Sequence, residues 1–197
     1  MAAVLQSLGR TVIAGIIILI VLVMISAGVS GAGPQFGHAW GAFFMRWLHV
    51  VSGVMWIGLL WYFNFVQIPS MPKIPDEQKP AIGKVIAPTA LFWFRYAALS
   101  TVVTGLLLAW MNGYLAAALG LRQPVHAIGI GMWLALVMAF NVWFIIWPNQ
   151  KKALGIVTVE AEEKAAAGRM AMLTSRFNTM LSIPMLYMMV AQQNAGL

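Results

Sequence analysis

Cysteine is absent from the 197-residue chain, and charged residues of both signs are scarce. Without cysteine, the sequence has no disulfide, no cysteine-ligated zinc or iron–sulfur cluster, and no C-x-x-C-H motif for attaching a c-type haem. Charged residues make up 9% of the chain, against roughly 25% in soluble proteins. The hydrophobic fraction is 61%, and the mean hydropathy is +0.84. This composition excludes a soluble enzyme, a disordered protein and a nucleic-acid-binding protein, and it predicts an all-α integral membrane protein.

Acidic residues are especially few: five, against twelve lysines and arginines, for a net charge of +7. In a membrane protein, such an excess reflects the enrichment of Lys and Arg on the cytoplasmic side rather than a polyanionic partner. We therefore expect the lipid bilayer, and no nucleic acid, as a partner.

Five apolar stretches are candidate membrane spans, each of which needs about 20 residues. The first resembles a signal peptide, but we expect it to be retained as a span. A proline-rich polar loop (67–87) is predicted after the second span, and an amphipathic cytoplasmic helix (157–172) before the fifth. The predicted architecture is one membrane domain (1–197), a helical bundle with spans at about 11–29, 40–66, 88–110, 124–147 and 177–191.

The charge distribution predicts the orientation of these spans. If Arg10 is cytoplasmic, alternation places ten of the twelve basic residues and all five acidic residues on or near the cytoplasmic side. Only Arg46 and Arg122 fall toward the outer side. The positive-inside rule then predicts a cytoplasmic N-terminus, an outer C-terminus and a multi-pass location in a bacterial inner membrane.

Ionisable residues inside spans are costly and mark functional candidates. On the second span, Arg46, His49, Gly53 and Trp56 are spaced by three or four residues and therefore share one helix face. His49 supplies an imidazole, and Gly53 leaves room for a flat macrocycle beside it. Arg46 lies one turn toward the outer surface, where it can pair with a carboxylate such as a haem propionate.

The fourth span carries a comparable stripe of His126, Gly129 and Trp133. Both His49 and His126 are predicted toward the outer side, so they are candidate axial ligands of one b-type haem, which needs no cysteine. Other interpretations stay open. The histidines can be packing residues, His38 or one of the 14 methionines can be a ligand, and the glycines can serve helix packing.

Arg95 on the third span has no acidic partner within the membrane, because all five acids are assigned to the cytoplasm. It can extend to the inner surface, or bind backbone carbonyls, Asn141 or an anionic ligand or cofactor. Asn64, Asn141 and Asn178 lie near the inner half of three spans. We predict an interhelical hydrogen-bond cluster of these residues with Arg95, structural rather than catalytic.

Four segments resemble the N-terminal membrane domain of bacterial cytochrome-linked urate oxidases. The likeness covers most of residues 40–190, and its specificity lies in the order and combination of the motifs. The segments are RWLHVVSGVMWIGLLWYFNFVQIP (46–69), WFRYAALST (93–101) followed by Gly105, NVWFIIWPNQK (141–151) and SRFNTMLSIPM (175–185).

This resemblance implies a membrane redox module that works with a c-type cytochrome. In full-length family members a C-terminal cytochrome c domain follows the membrane domain; this sequence lacks it, so we expect the electron partner on another chain. A shorter pattern, His49-x3-Gly53-x2-Trp56-x-Gly58, is similar to the bacterial membrane protoporphyrinogen oxidase, a haem-linked protein. Both likenesses imply that His49 lies near a haem or an oxidised ring substrate.

Two functional hypotheses follow. The first is a redox protein that binds haem b and passes electrons to a c-type cytochrome or a quinone. The second is a non-catalytic accessory subunit of a larger respiratory or photosynthetic complex, because small residues on the spans suit packing against neighbouring helices. A transporter is disfavoured by the lack of acidic residues in the spans. The candidate cofactor-binding residues are His49, His126, Arg46, Gly53, Gly129 and Arg95, with His49 and His126 as ligands of the haem iron.

Overall fold

A computed structural model describes residues 2–31, 33 and 36–194 of the chain. All regular secondary structure in these residues is helical, which confirms the predicted all-α class. In hydrocarbon a helix satisfies its own backbone hydrogen bonds, so long apolar segments adopt this form. The α-helices are α1 (Ala2–Leu5), α2 (Leu8–Ser30), α3 (His38–Trp61), α4 (Ile68–Ser70), α5 (Lys79–Ala81), α6 (Ala87–Met111), α7 (Leu115–Leu119), α8 (His126–Phe140), α9 (Trp147–Ala153) and α10 (Ala161–Ala191).

Four continuous helical stretches are long and apolar enough to cross a membrane: Leu8–Ser30, His38–Lys73, Lys79–Met111 and His126–Ala153. They correspond to the first four predicted spans. The fifth predicted span (177–191) forms the C-terminal part of α10. The predicted amphipathic helix (157–172) overlaps the charged N-terminal part of α10, which begins at Ala161. Whether α10 crosses the membrane, and which way the bundle faces, stay predictions.

The polar loop predicted over 67–87 is mostly helical, so that prediction is wrong. Only the short connection 74–78 separates the stretch ending at Lys73 from the one beginning at Lys79. Pro80 lies in the first turn of the stretch that begins at Lys79, where a missing backbone N–H costs no hydrogen bond. Pro69 and Pro72 lie near the end of the stretch His38–Lys73, and Pro75 lies in the connection 74–78. Wide π-helical turns at Tyr62–Gln67 and Ile82–Ile86 join these segments to α3 and α6.

The chain divides into two compact units, residues 1–41 and 42–197. In the first unit, α2 ends where Gly31 adopts a left-handed conformation with φ of 66° and donates its N–H to the Gly28 carbonyl. This is a common way to end a helix, and glycine adopts it without steric cost. The second unit contains the hydrophobic core and the cavity described below.

The core of the second unit is built from apolar side chains of α3, α6, α8 and α10. Trp56 and Leu60 of α3 and Met138 of α8 are fully buried. Phe94 of α6 is almost fully buried, and Phe63 packs edge-on against it with ring centroids 5.7 Å apart. These side chains belong to one core cluster, to which α10 contributes Met185.

A buried polar layer ties α10 to its neighbours. Asn141 donates to the Asn178 side-chain oxygen at 2.8 Å, and Asn178 donates to the Met138 carbonyl at 2.9 Å. Asn64 donates to the Ser175 hydroxyl at 2.8 Å. Of the predicted cluster, Asn141 and Asn178 bond to each other, whereas Asn64 bonds to Ser175. Arg95 forms no hydrogen bond with these asparagines within the described residues. Interhelical polar contacts of this kind help to hold membrane helices in register.

Candidate functional site

A cavity of about 630 Å³ lies among α3, α6, α8 and α10, within the size range of small-molecule and cofactor sites. Its walls are largely apolar. The polar or ionisable residues that line it are few: Arg46, His49, Trp56, Trp61, Thr101, Tyr114, Gln193 and Asn194. An apolar pocket with a few converging polar groups is typical of sites that bind an amphipathic or aromatic molecule.

His49 is held against α6 by a hydrogen bond. Its Nδ1 lies 2.9 Å from the Thr101 carbonyl oxygen and 3.4 Å from the Thr104 hydroxyl. A carbonyl oxygen only accepts, so Nδ1 carries the proton and donates it to Thr101. In a neutral ring, Nε2 then has its lone pair free, and no hydrogen bond engages Nε2 in the part of the chain that the structure describes.

Gly105 provides the space in which the His49 ring lies. A Cβ atom on Gly105 would be 2.8 Å from Cε1 and 3.0 Å from Nδ1 of the imidazole, distances well inside van der Waals contact. Gly53 is one turn from His49 on α3. A Cβ atom on Gly53 would be 3.9 Å from Cγ2 of Thr101, which is an ordinary van der Waals distance. The position of the imidazole therefore depends on two α6 features, the Gly105 gap and the Thr101 carbonyl.

Arg46 and Tyr114 form a polar end of the cavity. Arg46 donates through Nη1 to the Gln193 side-chain oxygen at 2.8 Å. Burial raises the pKa of the Tyr114 phenol, and the positive charge of Arg46 opposes this to a smaller extent. Tyr114 therefore stays protonated at neutral pH and keeps a hydroxyl donor beside a cation. This end suits the anionic or polar group of a ligand whose body lies in the apolar part.

The six candidate residues divide into two groups in the structure. Arg46, His49 and Gly53 line the cavity together, whereas His126, Gly129 and Arg95 do not. The space at Gly129 is taken up by α7, because a Cβ there would overlap the Ala118 carbonyl oxygen. His126 begins α8, and its Nδ1 is buried without a hydrogen-bond partner among the described residues.

The contacts of His49 with Thr101, Thr104 and Gly105 are not predicted by the residue spacing. All three are on α6, more than 50 residues from His49 along the chain. The one available signal was the resemblance, whose second segment ends at Thr101 and is followed by Gly105.

The cavity lining includes side chains of the types that bind metals in proteins. His49 presents an imidazole whose Nδ1–H is fixed by a carbonyl, the usual second contact of a metal-binding histidine. The thioethers of Met132, Met185 and Met189 also line the cavity, and Met is a known second axial ligand in haem proteins. The described residues contain no cluster of three or more His, Asp or Glu side chains that could hold a free metal ion.

One comparison with known proteins finds a similarity. The model of the family described as "Urate oxidase N-terminal" matches residues 123–195. No curated protein and no solved structure matches the chain. The matched range includes α8, α9 and α10. Within it, α8 supplies Met132 to the cavity, α10 supplies Met185 and Met189, and Gln193 follows α10. Through this C-terminal part, the chain is similar to the urate oxidase N-terminal family.

Proposed function

We propose that the chain is a membrane-embedded redox protein of the urate-oxidase N-terminal type. In this proposal the cavity binds haem b through His49, and electrons pass to a c-type cytochrome. The orientation proposed is an N-terminus in the cytoplasm of a bacterium and a C-terminus outside. The family match over 123–195 supports the type of protein, and the cavity supports the cofactor class.

The observation that carries the proposal is the environment of His49. Its Nδ1 donates to Thr101, and its ring lies in the gap at Gly105 beside a cavity of about 630 Å³. The carbonyl contact selects the tautomer with a free Nε2 and increases the basicity of that nitrogen. A histidine that only filled space would not need this combination of a fixed tautomer and an adjoining apolar cavity.

The other cavity residues have separate roles in the proposal. The bound haem would supply a one-electron carrier. Arg46, with Tyr114 nearby, holds a propionate at the polar end of the cavity, where a charge-assisted hydrogen bond is favourable. Gly53 leaves the face of α3 beside His49 open to a flat ring. The apolar walls exclude water, which favours retention of a hydrophobic macrocycle.

His126 was expected to be the second axial ligand, but it lies off the cavity, so the proposal assigns only His49 as a ligand of the iron. Met132, Met185 and Met189 are the other ligand-type side chains on the cavity wall. His126 therefore serves as the matched control, because it is a second histidine on a spanning helix whose replacement leaves the cavity lining unchanged.

The test is an absorption spectrum of the full chain, purified in detergent after haem-supplemented expression. Oxidised and dithionite-reduced spectra, with a pyridine haemochrome assay, are expected to show a b-type haem. His49→Ala is expected to lose the Soret band, whereas His126→Ala is expected to keep it. Addition of a ferric soluble c-type cytochrome to the reduced protein, after removal of excess dithionite, is expected to oxidise the b-type haem and to reduce the cytochrome.

A well-folded, colourless protein would refute the haem and favour the accessory-subunit hypothesis. Co-purification with a respiratory or photosynthetic complex would then be the next observation to seek. A band that disappears in both histidine variants would instead establish a pair of histidine ligands and overturn the single-histidine assignment.

A further inference from the structure

Arg95 is a buried cation, and two of its three side-chain nitrogens lack a hydrogen-bond partner among the described residues. It lies in α6, is 9% exposed, and has no hydrogen bond at Nε or Nη1 within the described residues. The buried amide oxygens of Asn64 and Gln67 also lack partners, but they do not bond to it. Because a buried N–H of a charged group without an acceptor is costly, this arrangement calls for an acceptor from outside the chain.

The guanidinium lies on an indole face. The central carbon of Arg95 is 3.4 Å from the centroid of the Trp147 ring, which is close cation–π contact. Stacking of this kind leaves the N–H groups at the edge of the planar guanidinium free to meet a planar or tetrahedral oxyanion. Trp143, on the π-helical turn before α9, has a buried indole N–H that also lacks a partner. The unsatisfied groups on these two neighbouring elements are all donors.

A second cation is close to the same indole. The Nζ of Lys151 lies 5.8 Å from the Trp147 centroid. The ion pairs of the described residues are Lys79 with Asp76 and Lys152 with Glu163, so neither Arg95 nor Lys151 has a carboxylate partner there. Two positive charges with no counterion therefore converge on one aromatic ring.

We propose that Arg95, Trp147 and Lys151 form a binding site for a phosphate group, with an anionic phospholipid headgroup as its source. Lys151 is in the last turn of α9, at the end of the spanning stretch that the charge distribution assigns to the cytoplasmic side. Basic pockets between helices on that side are typical sites for anionic headgroups. None of the three residues lines the cavity, so the site does not depend on whether the cavity binds haem.

The test is thermal unfolding of the full chain in nonionic detergent with added lipid. Phosphatidylglycerol is expected to raise the unfolding midpoint by at least about 4 °C, whereas phosphatidylcholine gives a much smaller rise. Inorganic phosphate is the second probe. A rise with phosphatidylglycerol alone identifies the lipid as the source, and an equal rise with inorganic phosphate supports the same site with a free ligand.

Three variants test whether the stabilisation by phosphatidylglycerol depends on Arg95. Arg95→Gln is expected to weaken phosphatidylglycerol binding at least about tenfold, and Arg95→Lys to weaken it less, because a compact ammonium keeps the charge but loses the planar stacking. Arg169→Gln is the matched control, since it removes the same charge from an exposed position of α10 and is expected to keep the full shift.

An unchanged lipid-induced shift in Arg95→Gln would overturn the proposal, as would equal shifts with both phospholipids. If Arg95→Gln does not fold, Lys151→Gln replaces it, because Lys151 is only partly buried and lies near a helix end. Lys151→Gln is expected to reduce the phosphatidylglycerol shift by at least half, and an undiminished shift would count against the site.

Discussion

Gly105→Ala tests whether the His49 position depends on the α6 gap. The new Cβ would be 2.8 Å from Cε1 of the imidazole, against about 3.5–4.0 Å for a comfortable carbon–carbon contact. The ring is the mobile partner, so it is expected to move away from α6 by several tenths of an ångström or more. The movement breaks or lengthens the hydrogen bond from Nδ1 to the Thr101 carbonyl.

The expected cost has two parts. Loss of the Nδ1–Thr101 bond costs about 0.5–1.5 kcal/mol, and crowding in a packed interior costs about 1–3 kcal/mol when the neighbours relax only partly. Replacing a helical glycine by alanine also gains up to about 1 kcal/mol from backbone entropy. Gly105→Ala is therefore expected to be less stable than the native chain by about 0.5–3.5 kcal/mol.

Gly58→Ala is the matched control for this variant. Gly58 also lines the cavity and is in α3, but a Cβ there would meet nothing within 4 Å. It receives the same gain in helix propensity, so the difference between the two variants isolates the steric effect at His49. The expected difference is about 1.5–4.5 kcal/mol in the free energy of unfolding, measured by denaturant titration in detergent.

Haem content provides the second readout. Gly105→Ala is expected to retain less haem after purification than Gly58→Ala, because the displaced imidazole no longer presents Nε2 in its original position. Equal stability and equal haem content in the two variants would refute the reasoning, since the Gly105 gap would then have no role in holding His49.

Three further predictions concern other parts of the second unit. Asn178→Ala is expected to destabilise the chain by about 1–3 kcal/mol, because the Asn141 side chain and the Met138 carbonyl each lose a hydrogen bond. A double-mutant cycle with Asn141→Ala should show clear non-additivity. Lys79→Gln is expected to raise the pKa of Asp76, which the hydrogen bond and charge of Lys79 now hold below its ordinary value. Because the pKa of Asp76 is lowered in the folded state, its contact with Lys79 stabilises the fold at pH values above the ordinary pKa of Asp. This contribution is lost as the pH falls through the folded-state pKa. NMR titration of the carboxyl group measures the change in pKa. Lys152→Gln, which removes a partly exposed ion pair with Glu163, is expected to change the unfolding free energy by less than about 1 kcal/mol, and a larger loss would show that the pair is not an ordinary surface contact.

In the second predicted span, the spacing of residues along the sequence predicts which side chains share a helix face. Arg46, His49 and Gly53 are three or four residues apart, so any helix through them must place them on one face. The structure brings all three to the same cavity. The fourth span has the same kind of spacing in His126 and Gly129, yet neither residue lines the cavity. Spacing defines a shared face, but it does not define what packs against that face.

The composition and the order of residues along the sequence were enough to predict an all-α chain with long apolar helices. Both properties depend on the hydropathy and the backbone hydrogen bonds of a single segment. Tertiary structure alone decided which face meets the cavity. The Thr101 carbonyl and the Gly105 gap reach His49 only because α3 and α6 pack together, and the Ala118 carbonyl occupies the space that Gly129 leaves on α8. Contacts of this kind join residues far apart in the chain, and a single sequence contains no periodic signal for them.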